Sequence, residues 1–219
     1  MFHSSLIQKL LFALLVMALC IPLCGTALAD DGIPEEADTA FWNMLHELEE
    51  DRLITLDGNS TYYGDYEKEW AQLGWYSWLN FENADRFVFS SNLSWDSASD
   101  KPNNFESGCG VVFNQSKNTS DHLLASLRMD GLVYFTGTRN KQYLSYGTYS
   151  YGKPSIKNSV NFVLLVDHDK ATVYVDGRRV VQKANLLVMG NTVGLSTLSG
   201  TNKGFGTRCE WKDIFFYTW

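Results

Sequence analysis

From residue 86 onward, apolar and polar positions alternate with a period of two. In RFVFSSNLSW (86–95), Phe87, Phe89, Leu93 and Trp95 share one face, and Ser90, Asn92 and Ser94 the other. That alternation predicts a strand with one buried face. The same parity puts Cys109, Val111 and Phe113 together in GCGVVF, and Leu123, Ala125, Leu127 and Met129 together opposite polar or charged partners. Phe162, Leu164 and Val166 repeat it, followed by Val173 and Val175. The last segment, GFGTRCEWKDIFFYTW, places Phe205, Cys209, Trp211, Phe215, Tyr217 and Trp219 on one parity. Gly131, Gly137, Gly147, Gly152, Gly177, Gly190 and Gly200 punctuate these runs. Many short strands between Gly/Asn/Asp turns, with no long helix among them, predict an all-β fold: an antiparallel two-sheet sandwich. No repeat of fixed period is present, which disfavours propellers and solenoids.

Before residue 86 the pattern differs. Asp38-Thr39 can cap a short helix whose apolar stripe is Phe41, Trp42, Leu45 and Leu48, with Glu47, Glu49, Glu50 and Asp51 on its other face. Arg52–Leu56 reads as a short strand closed by Asp57-Gly58. Residues 62–81 are aromatic and irregular, and periodicity assigns them to nothing. At the start, Lys9 precedes an apolar run from Leu10 to Leu19, Pro22 breaks it, and Ala27-Leu28-Ala29 offers small residues to a signal peptidase. An uncleaved anchor is the rival reading. Lipid attachment at Cys20 or Cys24 is disfavoured by the Leu before each. The expected organisation is a signal peptide over 1–29, an acidic leader with a short amphipathic helix over 30–60, and the sandwich domain over 61–219.

Composition narrows the function. The 219 residues carry 18 Lys and Arg against 25 Asp and Glu, a net charge of −7. Signal cleavage removes Lys9 and no acid, making the chain one unit more negative. No nucleic-acid partner is expected of such a chain, because phosphate binding needs clustered cations. No membrane association is expected after cleavage, since no other stretch approaches a membrane span in length. Cys109 and Cys209 remain, and an even pair in an exported chain makes a disulfide the default, with two buried thiols as the alternative. Export would place the protein outside the cytoplasm, secreted or periplasmic.

The opening strand FVFSSNLSWDSAS, the strand GCGVVF and the hairpin ATVYVDGRRVV, with its tight Asp176-Gly177 turn, carry a family likeness. The stretch from Phe87 to Trp219 resembles the concanavalin A-like, laminin-G-like jelly rolls of exported bacterial proteins. It is most like the 3-keto-disaccharide-hydrolase-type and glucanase-like domains. The resemblance implies a jelly-roll sandwich in which the last strand returns beside the first. It also implies neighbouring early and late strands, which would bring Cys109 and Cys209 within bridging distance. It says little about function, because this architecture hosts lectins, hydrolases and adhesion modules.

Candidate chemistry is thin. Retaining glucanases of this fold carry two or three acids at close spacing on an interior strand, and no such motif occurs. The Glu47–Asp51 cluster falls on the helix as a solvated face, and Asp167-His168-Asp169 reads as a turn. No catalytic residue, metal site or cofactor is therefore expected. Calcium is left open at the Asp96–Asp100 loop or at Asp167 and Asp169. His46, His122 and His168 form no zinc pattern. Asn59, Asn92, Asn114 and Asn118 head glycosylation sequons that matter only in a eukaryotic secretory pathway. The aromatic clusters are the best binding signal. Trp75, Tyr76 and Trp78 lie close in sequence, and Tyr143, Tyr146, Tyr149 and Tyr151 decorate YLSYGTYSYG, which reads as an inter-strand loop. Flat rings cover the C–H faces of sugars while Asn, Ser and Tyr groups bond hydroxyls. The expectation is an exported, non-enzymatic module that binds a carbohydrate or cell-surface polymer through six residues, Trp75, Trp78 and the four tyrosines. A glycoside hydrolase on the same fold is the alternative, and a protein-interaction or adhesion domain a further one.

Overall fold

The computed structural model describes residues 32–219; the signal peptide expected over 1–29 lies outside the described residues. Among these residues helix α1 (Glu35–Glu50) comes first, followed by twelve strands. The first sheet holds β1 (Asn59–Trp70), β12 (Thr207–Thr218), β3 (Arg86–Ser97), β8 (Lys157–Asp167), β9 (Lys170–Val175) and β10 (Arg178–Lys183), in that spatial order. The second holds β2 (Trp75–Asn83), β11 (Thr192–Ser199), β4 (Gly108–Gln115), β5 (His122–Arg128), β6 (Leu132–Arg139) and β7 (Gln142–Ser150). Every pair of neighbouring strands is antiparallel. The expected two-sheet sandwich is what forms, and β12 returns between β1 and β3.

The alternating positions meet between the sheets. Phe87, Phe89, Leu93 and Trp95 of β3, beside Phe162, Leu164 and Val166 of the adjoining β8, face Cys109, Val111 and Phe113 of β4 and Leu123, Ala125 and Leu127 of β5 in one buried cluster. Cys109 and Cys209 are joined there by a disulfide, with Cα atoms 5.8 Å apart at a sequence separation of 100. The bond ties β4 of one sheet to β12 of the other. Asp176 and Gly177 both take positive φ, 50° and 72°, and close a two-residue hairpin between β9 and β10, as the DG pair required.

The single parity expected for the last strand breaks at a bulge. Cys209 and Trp211 face the main core, but Asp213 adopts φ 51° and the register with β3 shifts between Lys212 and Phe215. An inserted residue moves every later side chain to the other face. Ile214 and Phe216 therefore enter the core. Phe215 and Tyr217 turn outward to meet the helix.

Helix α1 begins at Glu35, behind Pro34, so Asp38 and Thr39 lie inside it and no side chain caps its start. Pro34 fixes the φ needed just ahead of a first turn, and the acids Glu35, Glu36 and Asp38 suit the positive helix end. Phe41, Leu45 and Leu48 pack on Val88, Val163, Leu165, Phe215 and Tyr217, covering the outer face of the first sheet. Trp42 sits at the edge of that contact, 6.4 Å from the Tyr217 ring. Arg52–Leu56 forms no strand; Ile54 is buried under the helix and Arg52 ends α1 with φ 57°. The unassigned residues 62–81 supply most of β1 and β2. Their alternation is weak because both are edge strands. The boundary expected at residue 60 falls inside β1, and Ile33–Trp219 forms one compact unit.

Candidate functional site

The outer face of the second sheet carries the strongest constellation of polar and aromatic groups. Leu123, Ala125 and Leu127 of β5 point inward, so His122, Leu124, Ser126 and Arg128 point outward. All four outward residues are nevertheless buried. Around them lies a cleft of about 340 Å³, at the lower end of the usual small-ligand range of roughly 300–1,000 Å³. Its polar lining includes Glu106, His122 and Arg128, and its aromatic lining Trp75, Tyr76, Phe105, Tyr134 and Tyr143.

Arg128 is the central group. It is only 8% exposed, yet no carboxylate among the described residues lies within ion-pair distance. Its Nε–H donates to Ser126 Oγ at 2.7 Å and its Nη1 to the Phe105 carbonyl at 2.6 Å. The guanidinium lies 4.8 Å from the centre of the Tyr134 ring. Burial pushes its pKa down, although a guanidinium stays charged at any physiological pH. Asp130 accepts from the Tyr134 hydroxyl at 2.7 Å and from the Leu132 N–H, fixing the ring beneath the cation. The Tyr134 pKa is pushed up to about 12, first by burial and then by the Asp130 hydrogen bond.

His122, 2% exposed, anchors the opposite end. Its Nδ1 lies 2.6 Å from the Ser120 carbonyl and must donate, since a carbonyl only accepts. Nε2 then accepts from the Tyr76 hydroxyl at 2.8 Å. Tyr76 stacks on Trp78 at 5.3 Å, and Trp78 lies 5.1 Å from the imidazole. Burial lowers the His122 pKa below its ordinary 6.5, so the ring is neutral at pH 7. The unfolded chain therefore takes up this proton at higher pH than the folded one. The stability is fully present above about pH 6.5 and is lost as pH falls through the lowered folded value. Melting temperature should drop between pH 7 and pH 5, with a shallower slope in His122→Gln; an equal slope in the two proteins would remove His122 as the cause.

The rim is built by turns. Gly74 takes φ 73°, which favours glycine, and donates to the Ser199 carbonyl at 2.8 Å as the chain enters β2. The next residue, Trp75, is left 63% exposed at the cleft mouth. Tyr143, 71% exposed, faces it from β7. Glu106 Oε2 accepts from Asn103 Nδ2 at 2.7 Å.

The six residues expected to bind ligand separate accordingly. Trp75 and Tyr143 line the cleft. Trp78 packs behind it against Val112, Leu124 and Leu198. The YLSYGTYSYG segment is not a loop: residues 142–150 are edge strand β7, paired with β6. Its irregular parity comes from a bulge against Phe135 and Thr136, which turns Tyr146 and Tyr149 onto the main core. Tyr151 is buried, with its hydroxyl donating to the Arg128 carbonyl at 2.6 Å. Replacing Tyr146 and Tyr149 together by Ala should thus lower the melting temperature clearly, by roughly 2–4 °C per kcal/mol lost; an unchanged melting temperature would return the rings to solvent.

The turn read at 167–169 holds: His168-Asp169 closes the β8–β9 hairpin, with Asp167 paired to Arg86 at 3.1 Å. Asp96, expected in a loop, lies instead within β3 and pairs with Lys157 at 3.4 Å. Among the described residues, no group of three or more His, Cys, Asp or Glu is arranged to hold a metal ion. No described helix is long and apolar enough to cross a membrane. Asn114 is buried and bonded to the His168 carbonyl, whereas Asn59, Asn92 and Asn118 are exposed.

No family model matches the chain, and no curated protein matches it. Solved structures do. The carbohydrate binding module CBM66 from Bacillus subtilis superposes with a TM-score of 0.52 at 14% identity, over 71% of this chain and 92% of that one. The likeness is one of fold. A. japonicus CB05 aligns at TM-score 0.51 and 10% identity, over 74% of this chain, which spans about a quarter (26%) of that protein. Sheep galectin-11 aligns less closely, at TM-score 0.45 and 10% identity over 66% of this chain and 98% of that one. The jelly-roll resemblance read from the strands and hairpin is borne out at the level of fold.

Arg128, His122, Phe105, Tyr134 and Glu106 are not marked as site residues by the sequence, whereas Tyr76 belongs to the aromatic cluster it displays. One signal was present: in HLLASLR, Leu124 occupies the parity expected to be polar. Apolar residues on both parities mark a strand buried on both faces. The His and Arg of such a strand are then buried too.

Proposed function

We propose that this protein is an exported, non-enzymatic carbohydrate-binding module whose site is the cleft on the second sheet. The observation that carries the reading is a nine-tenths buried guanidinium with unused donors, walled by Trp75, Tyr76, Phe105, Tyr134 and Tyr143. Exposed rings such as Trp75 and Tyr143 offer apolar faces for sugar C–H groups, while Arg128 and Glu106 supply donors and an acceptor for hydroxyls. The fold likeness to a carbohydrate binding module supports the same reading. The inter-sheet disulfide suits an oxidising compartment outside the cytoplasm. Glycoside hydrolysis uses two flanking carboxylates, and Glu106 is the one carboxylate among the described lining residues. Purified protein should be retained by at least one member of a polysaccharide panel in affinity electrophoresis and release no reducing sugar from it. Trp75→Ala and Tyr143→Ala should each weaken retention about tenfold, on the order of 1.4 kcal/mol. Sugar release that disappears in Glu106→Gln would restore the hydrolase. Unchanged retention in both aromatic variants would move the site.

A further inference from the structure

Resting on the glycan-binding reading of this cleft, we infer that its ligand is an uncharged saccharide, held by hydroxyls that accept from Arg128 and donate to Glu106. A guanidinium has five N–H donors, and the protein uses Nε–H and one Nη1–H. The remaining Nη1–H and both Nη2–H groups have no protein partner among the described residues. A lone buried cation would invite an acidic sugar. Three observations oppose that.

Glu106 lines the same cleft, and its single side-chain bond, from Asn103, leaves Oε1 without a described partner. A carboxylate-bearing sugar docked on Arg128 would bring a second negative charge beside it. A hydroxyl is donor and acceptor at once and satisfies both groups. Second, Asp130 sits beneath Tyr134 and Asp121 beside His122, so the surroundings of the cleft add negative charge. Third, the whole chain carries −7, which slows approach of a polyanion at low ionic strength. The hydrogen bonds to the two ionised groups are the strong ones, and the rings set the sugar's orientation.

The discriminating variant is Glu106→Gln, because the two ligand classes predict opposite signs. It removes the carboxylate's charge at a half-buried position while leaving Arg128 untouched. Calorimetric titrations would use β-glucan, galactan and xylan as neutral polymers, and polygalacturonate and alginate as uronates. The expected result is binding of a neutral polymer that weakens at least fivefold in Glu106→Gln and more in Arg128→Lys. It should change little between 50 and 300 mM salt. The melting temperature of Arg128→Lys reports whether the buried substitution still folds; if it does not, Glu106→Gln alone decides. Tighter binding of a uronate polymer, strengthened in Glu106→Gln and weakened by salt, would overturn the inference while leaving a glycan site in place. Binding of neither class would overturn the glycan reading with it.

Discussion

Reducing the Cys109–Cys209 bond should lower stability by about 4–5 kcal/mol on the chain-entropy account, with a fall in melting temperature of roughly 10 °C or more. The size follows from the span, since the two half-cystines lie at a sequence separation of 100, a long loop whose closure restricts the unfolded chain strongly. It follows also from position. Both cysteines are fully buried between the sheets, on β4 and β12, so the bond ties the two layers covalently across their shared core. Thermal denaturation with and without reductant, alongside intact mass after alkylation, checks the claim. Without reductant no modified thiol should appear at either cysteine. Two alkylatable thiols in the native protein would contradict the pairing.

Leu45→Ala should cost about 2–5 kcal/mol, the range for a buried leucine whose cavity collapses incompletely. Leu45 is fully buried between Phe41, Leu48, Val163 and Phe215, the last stacked on Phe41 with ring centres 4.4 Å apart. The loss should appear with faster hydrogen exchange in α1 and in the outward residues of β3, β8 and β12, because the helix and Ile54 just after it cover that face. The cleft lies on the other sheet, so glycan retention should persist at temperatures where the variant stays folded. A cost below 1 kcal/mol would mean that the helix is an ornament to the sandwich.

These two results rest on features the sequence displays well. The period of two in residues 87–95 and 109–113, and the DG hairpin, come from local sterics and from one-sided burial, which a single chain records directly. The helix stripe of Phe41, Leu45 and Leu48 is legible for the same reason, though its start is hidden because Pro34 sets it without a side-chain cap. What is not legible depends on insertions and on the partner face. A positive φ at Asp213 flips Phe215 and Tyr217 out of the core, and a β6–β7 bulge folds Tyr146 and Tyr149 into it. Alternation counts neither inserted residue. Half of the site was hidden differently. Trp75 and Tyr143 stand out as aromatics in sequence, but Arg128 and His122 read as ordinary polar partners on β5. Only when Phe105, Tyr76 and Trp78 arrive from distant segments does the outer face close over them.

The proposed glycan site lies on the second sheet, between Trp75 and Tyr143 and over Arg128. Titration of the isotope-labelled protein with a retained oligosaccharide, read by amide and Arg side-chain NMR shifts, locates the site. Perturbations should concentrate on Gly74–Tyr76, Phe105–Glu106, the outward positions of β5 and β6, and Tyr143, with the Arg128 Nε resonance moving among the most. Shifts clustered instead on α1 and the outer face of β3 and β8, with Arg128 unmoved, would contradict the account.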